Sequence, residues 1–311
     1  MKLTRREIIR LGAGAGVSAL GAWSPLLASQ ELTPGSLLKT TIPSSGQQVP
    51  AVGIGTVRFS GAPGSPEMKR FAETLAVFHR LGGRVIDTSP NYGNSEQVLG
   101  DLMREQGIRD EMFVATKVDR EEREAGIKRM ESSFELLDGD QIDLMQVHNL
   151  RGTDTELETM KAWKEQGRFR YIGITTHTSR QYEDFERAMR AHPLDFIQVN
   201  YSLADRGASE RILPLAQDSG MAVLVNRPFG NGKLFSAVGD RSLPGWAAEI
   251  DASTWGQVFL KYVISHPAAT IPIPGTSKPH HAADNMAAAS GRLPDAGLRQ
   301  EMEQFMDGLL K

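Results

Sequence analysis

Four ionisable side chains, Asp87, Tyr92, Lys117 and His148, stand at or just beyond the ends of short apolar runs. Asp87 closes Arg84-Val85-Ile86-Asp87, and Tyr92 follows it in the turn Ser89-Pro90-Asn91-Tyr92-Gly93. Lys117 follows the run Met112 to Thr116, and His148 the run Ile142 to Val147. A phenol ionises near pH ~10, too high for ready proton exchange at neutrality, but an adjacent ammonium stabilises the phenolate and lowers that value. Lys117 is placed to do this for Tyr92, with Asp87 keeping the ammonium charged and oriented. His148 can hydrogen-bond the oxygen of a substrate carbonyl. Such a set suits protonating an alkoxide as it forms, and a second reactant must then bring hydride, because no side chain supplies one.

Singly, each residue has a plain structural reading. An Asp before a turn caps it, a strand-end Lys is solvated, and a His or Tyr packs in a core. Their coincidence at the ends of three successive strands is what favours chemistry.

The elements that must position these groups follow a strand and helix rhythm. Eight apolar runs read as strands: Ala51–Thr56, Arg84–Thr88, Met112–Thr116, Ile142–Val147, Tyr171–Thr175, Phe196–Val199, Met221–Val225 and Thr270–Ile273. Stretches of helical period follow each one. The seventh is exceptional, since a long Gly- and Pro-rich interval separates it from the helix predicted at Thr254–Ser265. A final amphipathic helix covers Leu298–Leu310. Such alternation calls for a parallel sheet covered by helices. A doubly wound open sheet satisfies the same rhythm, but eight units favour a closed (β/α)8 TIM barrel, and no strand is followed by G-x-G-x-x-G. In a barrel, all four groups converge on one mouth.

Composition narrows the partners. The chain carries 35 Lys and Arg against 38 Asp and Glu, interspersed, so a small molecule is expected rather than nucleic acid. It has no cysteine, which excludes disulfides and thiolate catalysis. His280 and His281 are neighbours, and adjacent helical residues point about 100° apart, so they do not make a metal site.

Residues 1–29 carry Arg5-Arg6 ahead of the weakly apolar, Gly- and Ala-rich stretch Leu11–Trp23, and resemble a twin-arginine signal. Twin-arginine export machinery would then be a partner and the periplasm the destination. The membrane is reached only through this segment if it stays uncleaved. An ordinary basic amphipathic helix is the alternative. Residues 30–50 read as a linker with a hairpin around Ser44-Ser45-Gly46, and residues 51–311 as the barrel with its C-terminal helix.

From Lys39 to Lys311 the chain resembles the aldo-keto reductase superfamily. The matching stretches, in family order, are Gly53–Thr56, Ile86–Gly93, Thr116-Lys117, Leu144–His148, Gly173–Thr175, Gln198–Tyr201 and Ile273–Ser277. The resemblance implies a nicotinamide cofactor, NADP or NAD, held without a Rossmann fold, and a carbonyl or alcohol substrate. It implies Tyr92 as general acid in reduction and general base in oxidation, within the tetrad Asp87, Tyr92, Lys117 and His148. Gln198 and the pair Thr175-Thr176 fall at carboxamide-binding positions, with Thr56 and Asp87 also among the cofactor contacts. Phe229, Gly232 and Leu234, in the loop after strand seven, would close over the pyrophosphate. Pro274, Gly275, Thr276, Ser277, Lys278, His281, Asp284 and Asn285 match the adenosine-phosphate region.

The chain departs from the family pattern in places. Thr176 stands where Asn is common, and Asn226 where an aromatic ring often stacks on the nicotinamide. His281 and Gly275 replace basic residues, leaving Lys278 and Arg227 to meet any 2'-phosphate. Val57 and Asn149 replace tryptophans, so a pocket lined by Val57, Tyr92, His148 and Asn149 is expected to be roomier or more polar and to suit a hydroxylated substrate such as a sugar. Two other functions remain open from the sequence: a nicotinamide-binding sensor or subunit with little turnover, and a non-redox barrel enzyme.

Overall fold

A computed structural model describes residues 37–268 and 270–310. The expected export segment lies outside these residues. The described chain opens with an antiparallel hairpin, β1 (Lys39–Thr41) and β2 (Gln48–Pro50), turning through Gly46 at φ 74. Eight parallel strands follow: β3 (Ile54–Gly55), β4 (Val85–Asp87), β5 (Phe113–Val118), β6 (Ile142–Val147), β7 (Phe169–Thr175), β8 (Phe196–Asn200), β9 (Ala222–Asn226) and β10 (Thr270–Pro272), paired in that order. A parallel bridge from Gly55 to Gly275, with Gly53 N–H donating to Pro272 O at 3.0 Å, joins the last strand to the first. The sheet is thereby the closed (β/α)8 barrel. Glycine is required at this seam, because a Cβ on Gly55 would lie 2.9 Å from the carbonyl oxygen of Ile273.

The outer layer contains α1 (Pro66–Arg80), α2 (Ser95–Gln106), α3 (Arg123–Leu137), α4 (Thr153–Glu165), α5 (Tyr182–Ala191), α6 (Ile212–Asp218), α7 (Lys233–Val238), α8 (Trp255–Ile264), α9 (Pro279–Ala287) and α10 (Ala296–Leu309). The first shows why these residues are helical. Pro66 occupies the first turn, where its missing N–H costs nothing, and Phe71, Leu75 and Phe78 form one buried face. Burying each such side chain contributes about 1.5–3 kcal/mol. The second ends at Gly107, left-handed at φ 65, whose N–H donates to Arg104 O.

Side chains alternate along each strand. On β5, Val114 and Val118 face the helices, while Phe113, Ala115 and Lys117 face the barrel axis. The lower axis is filled by Phe113, Tyr171 and Phe196, with ring centroids 5.5–5.9 Å apart, and by Ile42 and Val49 of the hairpin. The hairpin also ties to the floor through the Tyr171 hydroxyl, which donates to Gln47 Oε1 at 2.7 Å.

The interval after β9 departs from expectation. It holds α7 and a 3-10 segment at Gly245–Ile250, each contributing buried apolar residues, among them Leu234, Val238, Trp246 and Ile250. These helices are too short for a 3.6-residue period to stand out among glycines and prolines.

Candidate active site

The structure has two cavities of similar size, about 600 Å3 at the carboxyl ends of the barrel strands and about 590 Å3 beside the hairpin. The second is lined by Arg84, Arg109, Arg170 and four carboxylates, with the arginines engaged by carbonyls or acids. The first contains the four expected groups, Asp87, Tyr92, Lys117 and His148, and is where barrel chemistry sits.

Each group is placed by local structure. Asp87 ends β4, and Ser89-Pro90-Asn91-Tyr92 turns back on itself, Tyr92 N–H donating to Ser89 O at 3.0 Å. Gly93, at φ 63, completes this turn; a Cβ there would strike Ser60 Oγ at 2.4 Å. Lys117 projects from β5, and its ammonium donates to both carboxylate oxygens of Asp87 at 2.8 Å and to Thr88 O at 2.6 Å. The same nitrogen lies 5.2 Å from the centre of the Tyr92 ring, and the His148 ring meets that ring edge-on at 6.4 Å.

His148 is followed by two non-glycine residues in the left-handed region, Asn149 at φ 57 and Leu150 at φ 59. Hydrogen bonds hold this conformation. Asn149 N–H donates to Thr175 Oγ1 at 3.0 Å, and Gln181 Nε2 donates to Asn149 O at 3.0 Å.

Electrostatics set the protonation states. Burial lifts the Asp87 carboxyl above its ordinary range, against the pull of Lys117. Burial pulls the Lys117 ammonium down, but Asp87 and Tyr92 together carry it above its ordinary value, so it stays charged. For Tyr92 the sequence expectation is reversed. Lys117 is the largest single influence and lowers the phenol, yet burial and the Asp87 carboxylate together raise it above its ordinary value. Lys117 alone would favour the phenolate, but desolvation and the neighbouring carboxylate act together against it. Burial, and then Lys117, push His148 down to about 4, so its ring is neutral at pH 7.

The other expected site residues divide into two groups. Thr56, Val57, Asn149, Thr175, Gln198, Arg227, Phe229, Gly232, Pro274 and Gly275 line the same cavity. Thr176, Leu234, Thr276, Ser277, Lys278, His281, Asp284 and Asn285 do not. Thr176 is turned into the wall, its hydroxyl donating to Gln181 Oε1 at 2.7 Å, and Leu234 is fully buried in the core. Asp284 accepts from Thr254 Oγ1 at 3.0 Å and Gln257 Nε2 at 2.8 Å. Lys278 caps α9, and His281, Asp284 and Asn285 lie along it; none of the four lines the cavity. Among the described residues no group of three or more His, Asp or Glu is placed to hold a metal ion.

Asn226 is a hydrogen-bonding residue here. Its Nδ2 donates to Thr176 O at 3.2 Å, so its Oδ1 is the acceptor for Gln198 Nε2 at 2.7 Å. That fixes the Gln198 amide, whose Oε1 is buried without a partner. A cofactor carboxamide N–H would satisfy it, so the residues present fit a nicotinamide. Sequence reasoning missed Arg58 and His177 on the cavity wall, and Gln146, fully buried with both amide atoms unpartnered. The strand-end rule points to His177, two residues beyond the end of β7.

A family model described as Aldo/keto reductase family matches residues 51–300. Aldo-keto reductase YhdN of Bacillus subtilis (strain 168) is 32% identical over a stretch covering 60% of this chain, and this chain spans about 60% of that protein's length. An aldo-keto reductase from Klebsiella pneumoniae, solved in complex with NADPH, superposes with a TM-score of 0.73 at 25% identity, over 87% of this chain and 95% of that one. The holo form of an aldo-keto reductase from Bacillus halodurans shares the fold, with a TM-score of 0.68 at 23% identity over 87% of this chain and 96% of that one. With its tetrad gathered at one barrel mouth and the family model matched along most of its length, this chain belongs to the aldo/keto reductase family.

Proposed function

We propose that the protein is an NAD(P)-dependent oxidoreductase interconverting a carbonyl and an alcohol, with Tyr92 as the proton-transferring group. The observation that carries this reading is the buried Asp87–Lys117 ion pair beside Tyr92, in one cavity with a neutral His148. The NADPH complex of the Klebsiella pneumoniae relative supports a nicotinamide, as does the unpartnered Gln198 Oε1. Gln198 would hold its carboxamide, and Arg227, Phe229 and Gly232 its phosphates; when bound, it supplies the hydride.

The chain's own residues then do the following. His148 donates a hydrogen bond to the carbonyl oxygen and orients it. Tyr92 gives that oxygen its proton as negative charge develops, and the phenolate left behind is stabilised by Lys117. Asp87 holds Lys117 in place through both carboxylate oxygens. Because Tyr92 is protonated at neutral pH, the free protein is poised for reduction.

The cavity wall supports a hydroxylated substrate. Val57 is 55% exposed at the rim, and Arg58, Asn149, His177 and Asn226 supply polar groups around the mouth. The test is consumption of NADPH or NADH with short aldehydes and sugars, and the effect of Tyr92→Phe. That variant is expected to lose turnover by ~100-fold or more with cofactor binding retained. Full activity in Tyr92→Phe would refute the role given to Tyr92, and preference for apolar aldehydes over hydroxylated ones of equal length would refute the substrate class.

We also propose that the protein is exported to the periplasm by the twin-arginine machinery. Arg5-Arg6 and the apolar stretch behind them support this. Export in the folded state lets a cofactor be loaded beforehand.

A further inference from the structure

The turn that presents Tyr92 also presents Asn91, which the proposed chemistry does not use. Its amide has three partners. Oδ1 accepts from an Arg129 guanidinium N–H at 2.7 Å, Nδ2 donates to Asp119 Oδ2 at 2.6 Å, and Nδ2 also lies 3.3 Å from His148 Nδ1. An amide's orientation follows from its partners, and here two of them are ions of opposite sign. Reversed, the amide would set its oxygen against a carboxylate and its NH2 against a guanidinium. The orientation is therefore fixed by charge.

An amide NH2 can only donate, so the nitrogen of His148 that faces it must offer its lone pair. A neutral imidazole carries one N–H, which is then on Nε2. Ser89 agrees with this. Its Oγ lies 3.4 Å from the same Nδ1 and already accepts from Asn91 N–H at 3.2 Å, so its hydroxyl proton is free to be given.

We propose that Asn91, clamped between Arg129 and Asp119, is a positioning residue that fixes the Nε2–H tautomer of His148 and so presents a donor to the substrate oxygen. The opposite tautomer would turn a lone pair toward an oxygen that is gaining negative charge. The clamp spans three elements: Asn91 in the turn after β4, Asp119 just past β5, and Arg129 on α3. The consequence for the substrate rests on the reading of His148 given above, whereas the tautomer itself can be observed without turnover.

The experiment is long-range 1H–15N correlation on the 15N-labelled full chain at pH 7, with the His148 signals identified by their loss in His148→Gln. In the parent, the expected spectrum has Nδ1 in the unprotonated range and Nε2 in the protonated range. Asn91→Asp, made together with Asp119→Asn so that an amide rather than a second carboxylate faces it, keeps the shape but offers oxygens that only accept, so it moves the proton to Nδ1. Asn91→Ala, which removes the donor without adding charge, is expected to leave both tautomers populated. In the double variant Asn91→Asp, Asp119→Asn, kcat for carbonyl reduction falls roughly 10- to 100-fold, the scale of one lost transition-state donor, with cofactor affinity unchanged. A proton on Nδ1 in the parent, or one tautomer unchanged in both Asn91 variants, overturns the proposal. A tautomer that moves while kcat stays constant supports the control by Asn91 and overturns instead the role given to His148.

Discussion

At the scale of residues, the site is organised by which protons are held and which are free to move. Tyr92 sits beside an ammonium that by itself would make it more acidic, but burial and Asp87 leave it protonated. His148, driven to about 4, is neutral across the physiological range. The sign of the pH dependence follows. In the proposed mechanism reduction needs the phenol with its proton on, and a pKa raised above the ordinary ~10 keeps it so; kcat/KM for reduction should be flat from about pH 6 to about pH 9. By the same mechanism oxidation would need the phenolate, so its rate should rise about tenfold per pH unit over the same range. Parallel pH profiles in the two directions check this, and an inflection near ~6.5 in reduction would show a histidine titrating at its ordinary value. The residue types of the tetrad were readable from the sequence because Asp87, Lys117 and His148 close or directly follow apolar runs and Tyr92 lies in the turn after the first of these. The direction of the Tyr92 shift was not, since it depends on the balance between an ion pair and desolvation. Neither was the chain from Thr176 O through Asn226 to Gln198, whose members lie on three different strands or strand ends and meet only in the folded barrel.

At the scale of elements, precise placement of strand ends depends on how closely the outer helices approach one another. On α2, a Cβ added to Gly100 would lie 2.0 Å from the Leu136 carbonyl oxygen of α3. The two helices meet there backbone to backbone. Gly→Ala inside a helix ordinarily stabilises by about 1 kcal/mol, so Gly100→Ala separates propensity from packing. It is expected to destabilise by about 1–3 kcal/mol in urea unfolding, because backbone cannot give way as a side-chain tip can. A gain in stability would mean that α2 shifts freely, and with it the turn carrying Asn91 and Tyr92. The eight strands were legible as short continuous apolar runs, buried on both faces, and the long helices because their 3.6-residue period extends over several turns. The ladder of the first strand shrinks to Ile54–Gly55, and α7 went unseen, because a two-residue ladder and a six-residue helix carry too little periodicity.

At the scale of the whole molecule, the closed barrel and its proposed export are one problem, since the twin-arginine route carries folded proteins. Replacing Arg5 and Arg6 by Lys is expected to leave the protein in the cytoplasm, with its turnover in extracts unchanged. Fractionation checks this, and equal periplasmic yield from parent and variant would remove the twin-arginine proposal. Among the described residues no helix is long and apolar enough to cross a membrane. The closed floor has its own consequence. Among the described residues Phe113, Tyr171 and Phe196 pack across the axis with the hairpin seated beneath them, so the barrel floor is closed by side chains. Among the described residues this packing stands between the floor and the Asp87–Lys117 pair. In the proposed reaction, whatever restores the proton on Tyr92 must therefore enter by the rim that substrate and product also use. Traffic through one doorway has to be taken in turns, so in that reaction Tyr92 would be recharged after product leaves and before the next substrate settles over it.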